Sequence, residues 1–122
     1  MRSIRSPRPA VGCDSVAGIA VALAAGCYAA NVALGLSVAS RLVDTSNARW
    51  IHHGLFIATA TSTGVALALS GIRREASALP LAATAAPLVL LQRHGSRPLA
   101  RHTRTAMLAA PGYVIALALA RR

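Results

Sequence analysis

The sequence contains no lysine, and its only acids are Asp14, Asp44 and Glu75, set against thirteen arginines. Only Tyr28, Trp50, Phe56 and Tyr113 are aromatic. There is no Cys-x-x-Cys, no glycine-rich phosphate loop, no metalloprotease histidine pair and no nucleophile–base–acid set. Each scarcity excludes something. Without clustered acids or a nucleophile there is no motif for an enzyme, and none is expected. Without an acid deep in an apolar run, a proton-coupled carboxylate carrier lacks its working group. With so few aromatics there is no bulky core and no drug-binding chamber. Helices must pack closely on the 28 alanines instead. Cys13 and Cys27 would lie about 21 Å apart along one helix, far beyond disulfide reach.

What is present is apolar and basic at once. Apolar residues make up 55% of the chain, the mean hydropathy is +0.54 and the formal charge is +10. A disordered basic tail would need low hydrophobicity. A soluble nucleic-acid binder would carry its arginines on a polar fold, so no nucleic-acid partner is expected. The remaining class is a membrane protein whose arginines lie outside its apolar runs. The arginine and alanine bias suits a GC-rich bacterial source.

The charges divide the chain into four uncharged runs: 15–40, 50–72, 76–92 and 105–120. A spanning helix needs about 20 apolar residues, with a range of roughly 17–25. The first two runs qualify directly. The third lies at the lower limit and carries Pro80 and Pro87. The fourth reaches the length by including residues from 100 onwards, with its arginines snorkelling to the interface. Nothing alternates like a barrel strand. The expected fold is therefore all-α integral membrane, with four transmembrane helices in an up-down bundle at about 14–40, 50–72, 76–92 and 102–120. Residues 1–10 form a basic, proline-broken, disordered tail, and 11–122 form the membrane domain. Pro80 and Pro87 should bend the third helix, and Pro111-Gly112 should kink the fourth near its middle. Ala24-Ala25-Gly26-Cys27 loosely resembles a lipoprotein cleavage site, but the apolar run continues to Ala39, which favours an uncleaved helix.

Val65-Ala-Leu-Ala-Leu69 leads to Arg73-Arg74, and Ile115-Ala-Leu-Ala-Leu119 leads to Arg121-Arg122. That fits a duplicated hairpin with parallel halves. The competing explanation is chance likeness in an alanine-rich chain.

At 100° per residue, each helix presents one small or polar face. On the first it is Cys13, Ala17, Ala20, Ala24, Cys27, Asn31 and Gly35, with Tyr28 elsewhere. On the second, His52, Thr59, Thr63 and Ser70 align. On the third and fourth the faces are Ser77, Pro80, Thr84 and Pro87, then His102, Ala106, Ala109, Tyr113, Ala116 and Ala120. Small residues in line are what helices use to meet in lipid. The plain reading is close packing, with hydroxyls bonded to their own backbone. The sharper one is a polar stripe (Asn31, Thr59, Thr63, Ser70) serving a small transporter or channel.

Alternating helices would gather all four histidines, His52, His53, His94 and His102, on one membrane face. Arg41, Arg49, Arg93, Arg97, Arg101 and Arg104 share that face. Imidazoles hold metals and haem, so these histidines are the candidate cofactor ligands of a membrane electron carrier. No cofactor is required by any motif. Arg49, Arg93, Arg97, Arg101 and Arg104 suit anionic lipid headgroups, and Trp50 suits an interface anchor. Each face carries a net +5, counting acids, so arginine number gives no orientation, and insertion in both orientations stays open. The leading expectation is a small multi-pass protein of the bacterial inner membrane. Its partners would be anionic lipids, further copies of itself, or a larger membrane complex. The electron carrier and the transporter stand behind it.

Overall fold

A computed structural model describes residues 15–44, 46–47, 49–95 and 97–122, and all regular structure among them is helical. The helices are α1 (Val16–Ala39), α2 (Arg49–Ile72), α3 (Ala78–His94), α4 (Leu99–Met107) and α5 (Ala110–Ala120). By length and composition, α1, α2 and the joined segment Leu99–Ala120 could each cross a membrane. The third helix has 17 residues and is the short one. Residues 1–10, Cys13 and Asp14 lie outside the described residues, so the basic tail and the first member of the α1 face are not seen.

Local chemistry explains most of the boundaries. Ser15 caps α1, its hydroxyl accepting the Gly18 N–H at 3.0 Å, which satisfies one of the free donors of the first turn. Two helices end in a way the sequence conceals. Arg41 and Arg74 take left-handed φ values of 58° and 53°. Arg41 donates to the Val38 carbonyl and Leu42 to Ser37. Arg74 likewise donates to Gly71 and Glu75 to Ser70. Both are Schellman stops, built on arginine where glycine is usual.

The prolines act differently from expectation. Pro80 falls in the first turn of α3, where its missing N–H costs no bond. Only Pro87 lies in the helix interior. The fourth expected helix is two helices, interrupted at Leu108–Ala109. Pro111 has no N–H to offer Met107, and the chain tightens there, with Ala109 donating to Ala106 at 3.2 Å. The break thus falls just before the proline–glycine pair, and the segment resumes as α5.

The helices close into a ring. α1 packs most extensively on α2, α2 packs on α3, α3 on α4 and α5, and α5 back on α1. The core is mainly alanine: Ala17, Ala24, Ala66, Ala109 and Ala116 are fully buried, with Val21 and Leu81. Two tyrosines supply the bulk. Tyr28 and Tyr113 stack with ring centres 4.5 Å apart. Tyr28 was expected off the packing face of α1 and is instead buried, because a ring reaches sideways past the alanines beside it. Where α5 meets α3 the two backbones come close at Gly112. A Cβ there would lie 2.8 Å from the Pro80 carbonyl oxygen and 2.5 Å from Thr84 Cγ2.

Buried positions also repeat. Thr59, Thr63, Ala66 and Ser70 are buried along α2, and Ala109, Tyr113, Ala116 and Ala120 are buried fifty residues later. The two apolar stretches singled out by their likeness therefore share a packing register.

Candidate functional site

His52 is the fourth residue of α2 and His102 the fourth of α4. Their ring centres lie 6.2 Å apart, with the planes tilted by 56°. Both side chains are half-buried, whereas His53 and His94 are exposed. Adjacent helical positions point about 100° apart, which separates His53 from the pair. Of the four candidate cofactor ligands, the structure brings two together.

The orientation of His102 has a local cause. Gly95, just after α3, has φ 63° and ψ −162°, a backbone region open essentially to glycine alone. Its carbonyl oxygen lies 3.1 Å from His102 Nδ1. A carbonyl only accepts, so Nδ1 carries the hydrogen, and in the neutral ring the Nε2 lone pair is left free. The loop glycine thereby sets the tautomer of a histidine seven residues away.

Charge at this end is one-sided. Arg49, Arg93, Arg97, Arg101 and Arg104 are all exposed, as is Trp50. Asp44 accepts the Ser46 N–H at 2.9 Å, and that bond holds its carboxyl below the usual carboxylate range. Among the described residues, no three His, Cys, Asp or Glu side chains gather as a metal cluster.

The polar stripe lies inward, but its hydroxyls are spent. Thr59 donates to the Leu55 carbonyl at 2.8 Å and Thr63 to Thr59 at 2.6 Å. Thr84 donates to Leu81 at 2.6 Å, and Ser77 to Ser70 at 3.1 Å. Thr63 also meets the Tyr113 hydroxyl at 2.5 Å. Tyr28 donates to the Ala106 carbonyl at 2.7 Å, so that oxygen, at the break between α4 and α5, accepts twice. Ala66 separates Thr63 from Ser70 on the buried face of α2. Asn31 does not join the stripe; its Oδ1 is buried without a hydrogen-bond partner. Helical periodicity places Tyr113 on the inner face, where it is buried; Tyr28 is the member of this network that periodicity alone missed. The available signal was that only two tyrosines occur in the whole chain.

A further feature lies on the outside of α1. Ala22, Gly26 and Ala30 are exposed at four-residue intervals. With Ile19, Leu23, Cys27 and Leu55 they line an open groove of about 500 Å³.

No protein-family model matches the chain, and no curated protein or solved structure does either.

Proposed function

We propose that the chain is a multi-pass membrane protein, an up-down bundle of four spanning segments, acting as a self-associating or accessory subunit of the bacterial inner membrane. The supporting observation is the outward groove on α1. Large apolar side chains such as Leu23, Ile57, Val65, Val114 and Ile115 are exposed, as a lipid-facing surface requires. Among them, the Ala22–Gly26–Ala30 ridge lets another backbone approach closely, and close packing is what drives helix association in lipid. A Cβ on Gly26 would meet nothing within 4 Å, so the cleft is not needed for the fold of a single copy. The exposed arginines at both ends would rest on anionic headgroups. No enzymatic role is proposed. The transporter reading gains nothing from a stripe whose hydroxyls are taken up by backbone carbonyls and neighbouring hydroxyls.

The test is cross-linking in native membranes. In a Cys13→Ala background, Cys27 or an Ala30→Cys substitution should give a discrete dimer on oxidation, or a disulfide to one partner subunit. An Ala68→Cys control on the exposed side of α2, with Cys27 also replaced by alanine, should not. A strict monomer with no co-purifying subunit would sink the proposal.

A further inference from the structure

We propose that His52 and His102 together hold a single cuprous ion, bound near-linearly between their two imidazoles. The proposal is independent of the self-association reading and rests on distance, tautomer and charge around the His52–His102 pair.

Distance comes first. A metal–imidazole bond is about 2.0–2.1 Å, which with the ring radius puts the metal about 3.2 Å from each ring centre. Two rings sharing one ion are therefore at most about 6.4 Å apart, and a tetrahedral ion would draw them to about 5.2 Å. The observed 6.2 Å lies just inside that upper limit, so an ion shared by the two rings would have them on nearly opposite sides. A near-linear pair of nitrogen ligands suits a d¹⁰ ion of low charge. It does not suit zinc, which takes four tetrahedral ligands.

The tautomer comes next. Histidines that ligate metals almost always donate their other ring N–H to a carbonyl or carboxylate, which fixes the ring and leaves the second nitrogen free for the metal. His102 has this arrangement already, through the Gly95 carbonyl at 3.1 Å. Gly95 can present that carbonyl because its backbone lies where other residues are strained.

Charge selects among metals. Five exposed arginines surround this end, and their repulsion scales with the charge of the ion. A monovalent ion meets half the repulsion of a divalent one. Among imidazole-binding metals, copper is the one with an accessible monovalent state that accepts two ligands.

The experiment loads the purified full-length protein, in mild detergent and without oxygen, with Cu(I) alone against a chromophoric Cu(I) chelator. The wild type should retain one equivalent. His52→Ala and His102→Ala should each weaken retention by about 100-fold or more. Gly95→Ala should weaken it by about 10–100-fold, as loss of an orienting group does. His53→Ala and His94→Ala should change it less than about threefold, since neither ring belongs to the pair. Helical circular dichroism is measured for every variant, and His102→Gln serves if the alanine variant loses its fold. X-ray absorption of the loaded protein should show two nitrogen scatterers.

Full retention of copper by the His52→Ala/His102→Ala double variant would overturn the assignment. So would a wild type that surrenders its copper to the chelator, or one that binds Zn²⁺ as tightly. A Soret band after haem supplementation that vanishes in either single variant would replace the bare ion with haem iron.

Discussion

Replacing Gly112 by alanine separates two explanations of why a glycine stands inside a membrane-length helix. If Gly112 is only a tolerated helix residue, alanine should stabilise the protein by about 1 kcal/mol through helix propensity. If it marks a close approach of α5 to α3, the added methyl has nowhere to go. Its carbon would lie 2.8 Å from the Pro80 carbonyl oxygen and 2.5 Å from Thr84 Cγ2. The Pro80 oxygen is backbone and cannot swing aside. Thr84 is buried and its hydroxyl is bonded to Leu81. Reaching ordinary contact at about 3.4 Å takes a shift of about 0.6 Å at the Pro80 oxygen and about 0.9 Å at Thr84 Cγ2, and that disturbs the packing of Tyr113 next door. Overpacking of this kind costs about 1–3 kcal/mol, so after the propensity gain of about 1 kcal/mol Gly112→Ala should destabilise by a net of about 0–2 kcal/mol. Gly64→Ala is the matched control, because a Cβ there meets nothing within 4 Å; it should be neutral or gain up to about 1 kcal/mol. The assay is reversible unfolding in mixed micelles titrated with denaturing detergent, followed by circular dichroism and Trp50 fluorescence. The two variants should differ by about 1–3 kcal/mol, the overpacking cost itself, since the propensity gain is common to both. Equal shifts for both would refute the close-approach argument.

Arg74→Gly should stabilise the fold by about 0.5–1 kcal/mol, because the left-handed φ at that helix stop strains any residue with a Cβ; a lowered midpoint in the same titration would contradict the Schellman assignment. Tyr28→Phe removes the second donor to the Ala106 carbonyl and should cost about 0.5–1.5 kcal/mol. It should also speed hydrogen exchange of amides around the α4–α5 break, while unchanged exchange would show that the bond does not brace it. Ala66→Leu should destabilise by about 1–3 kcal/mol, since the site is fully buried against neighbouring helices; a variant as stable as the wild type would show that the core can open to accept it.

The helical class and the positions of the long apolar helices were legible because hydropathy and charge act locally. Runs without arginine or acid had to become helices, and the observed bounds of α1, α2 and α3 differ from the expected ones by about two residues, the usual uncertainty of a helix end. The inward faces could be traced from 100° spacing wherever the residues were small, as with Thr59, Thr63 and Ser70. The same geometry misplaced Tyr28, since a long side chain reaches beyond its own angular sector. Helix stops at Arg41 and Arg74 carried no signal, because arginine is not what a left-handed residue ordinarily looks like. Pro111 announced an irregularity, but the interruption fell at Leu108–Ala109, where the chain adapts to a carbonyl the proline leaves without its donor.

The candidate site divides along the same line. That the histidines and Arg49, Arg93, Arg97, Arg101 and Arg104 flank the apolar runs follows from the order of residues alone. That His52 meets His102, while His53 and His94 stay apart, depends on the relative rotation and rise of α2 and α4. Those two quantities are set by alanine-to-alanine packing, by the stacked tyrosines and by the glycine approach at Gly112, all of them contacts between residues distant in the chain. A linear pattern records the angle of a side chain around its own helix, but not the angle of that helix to its neighbour. The sequence therefore determined a basic, apolar chain of membrane-length helices. Only the tertiary structure decided which two imidazoles lie 6.2 Å apart.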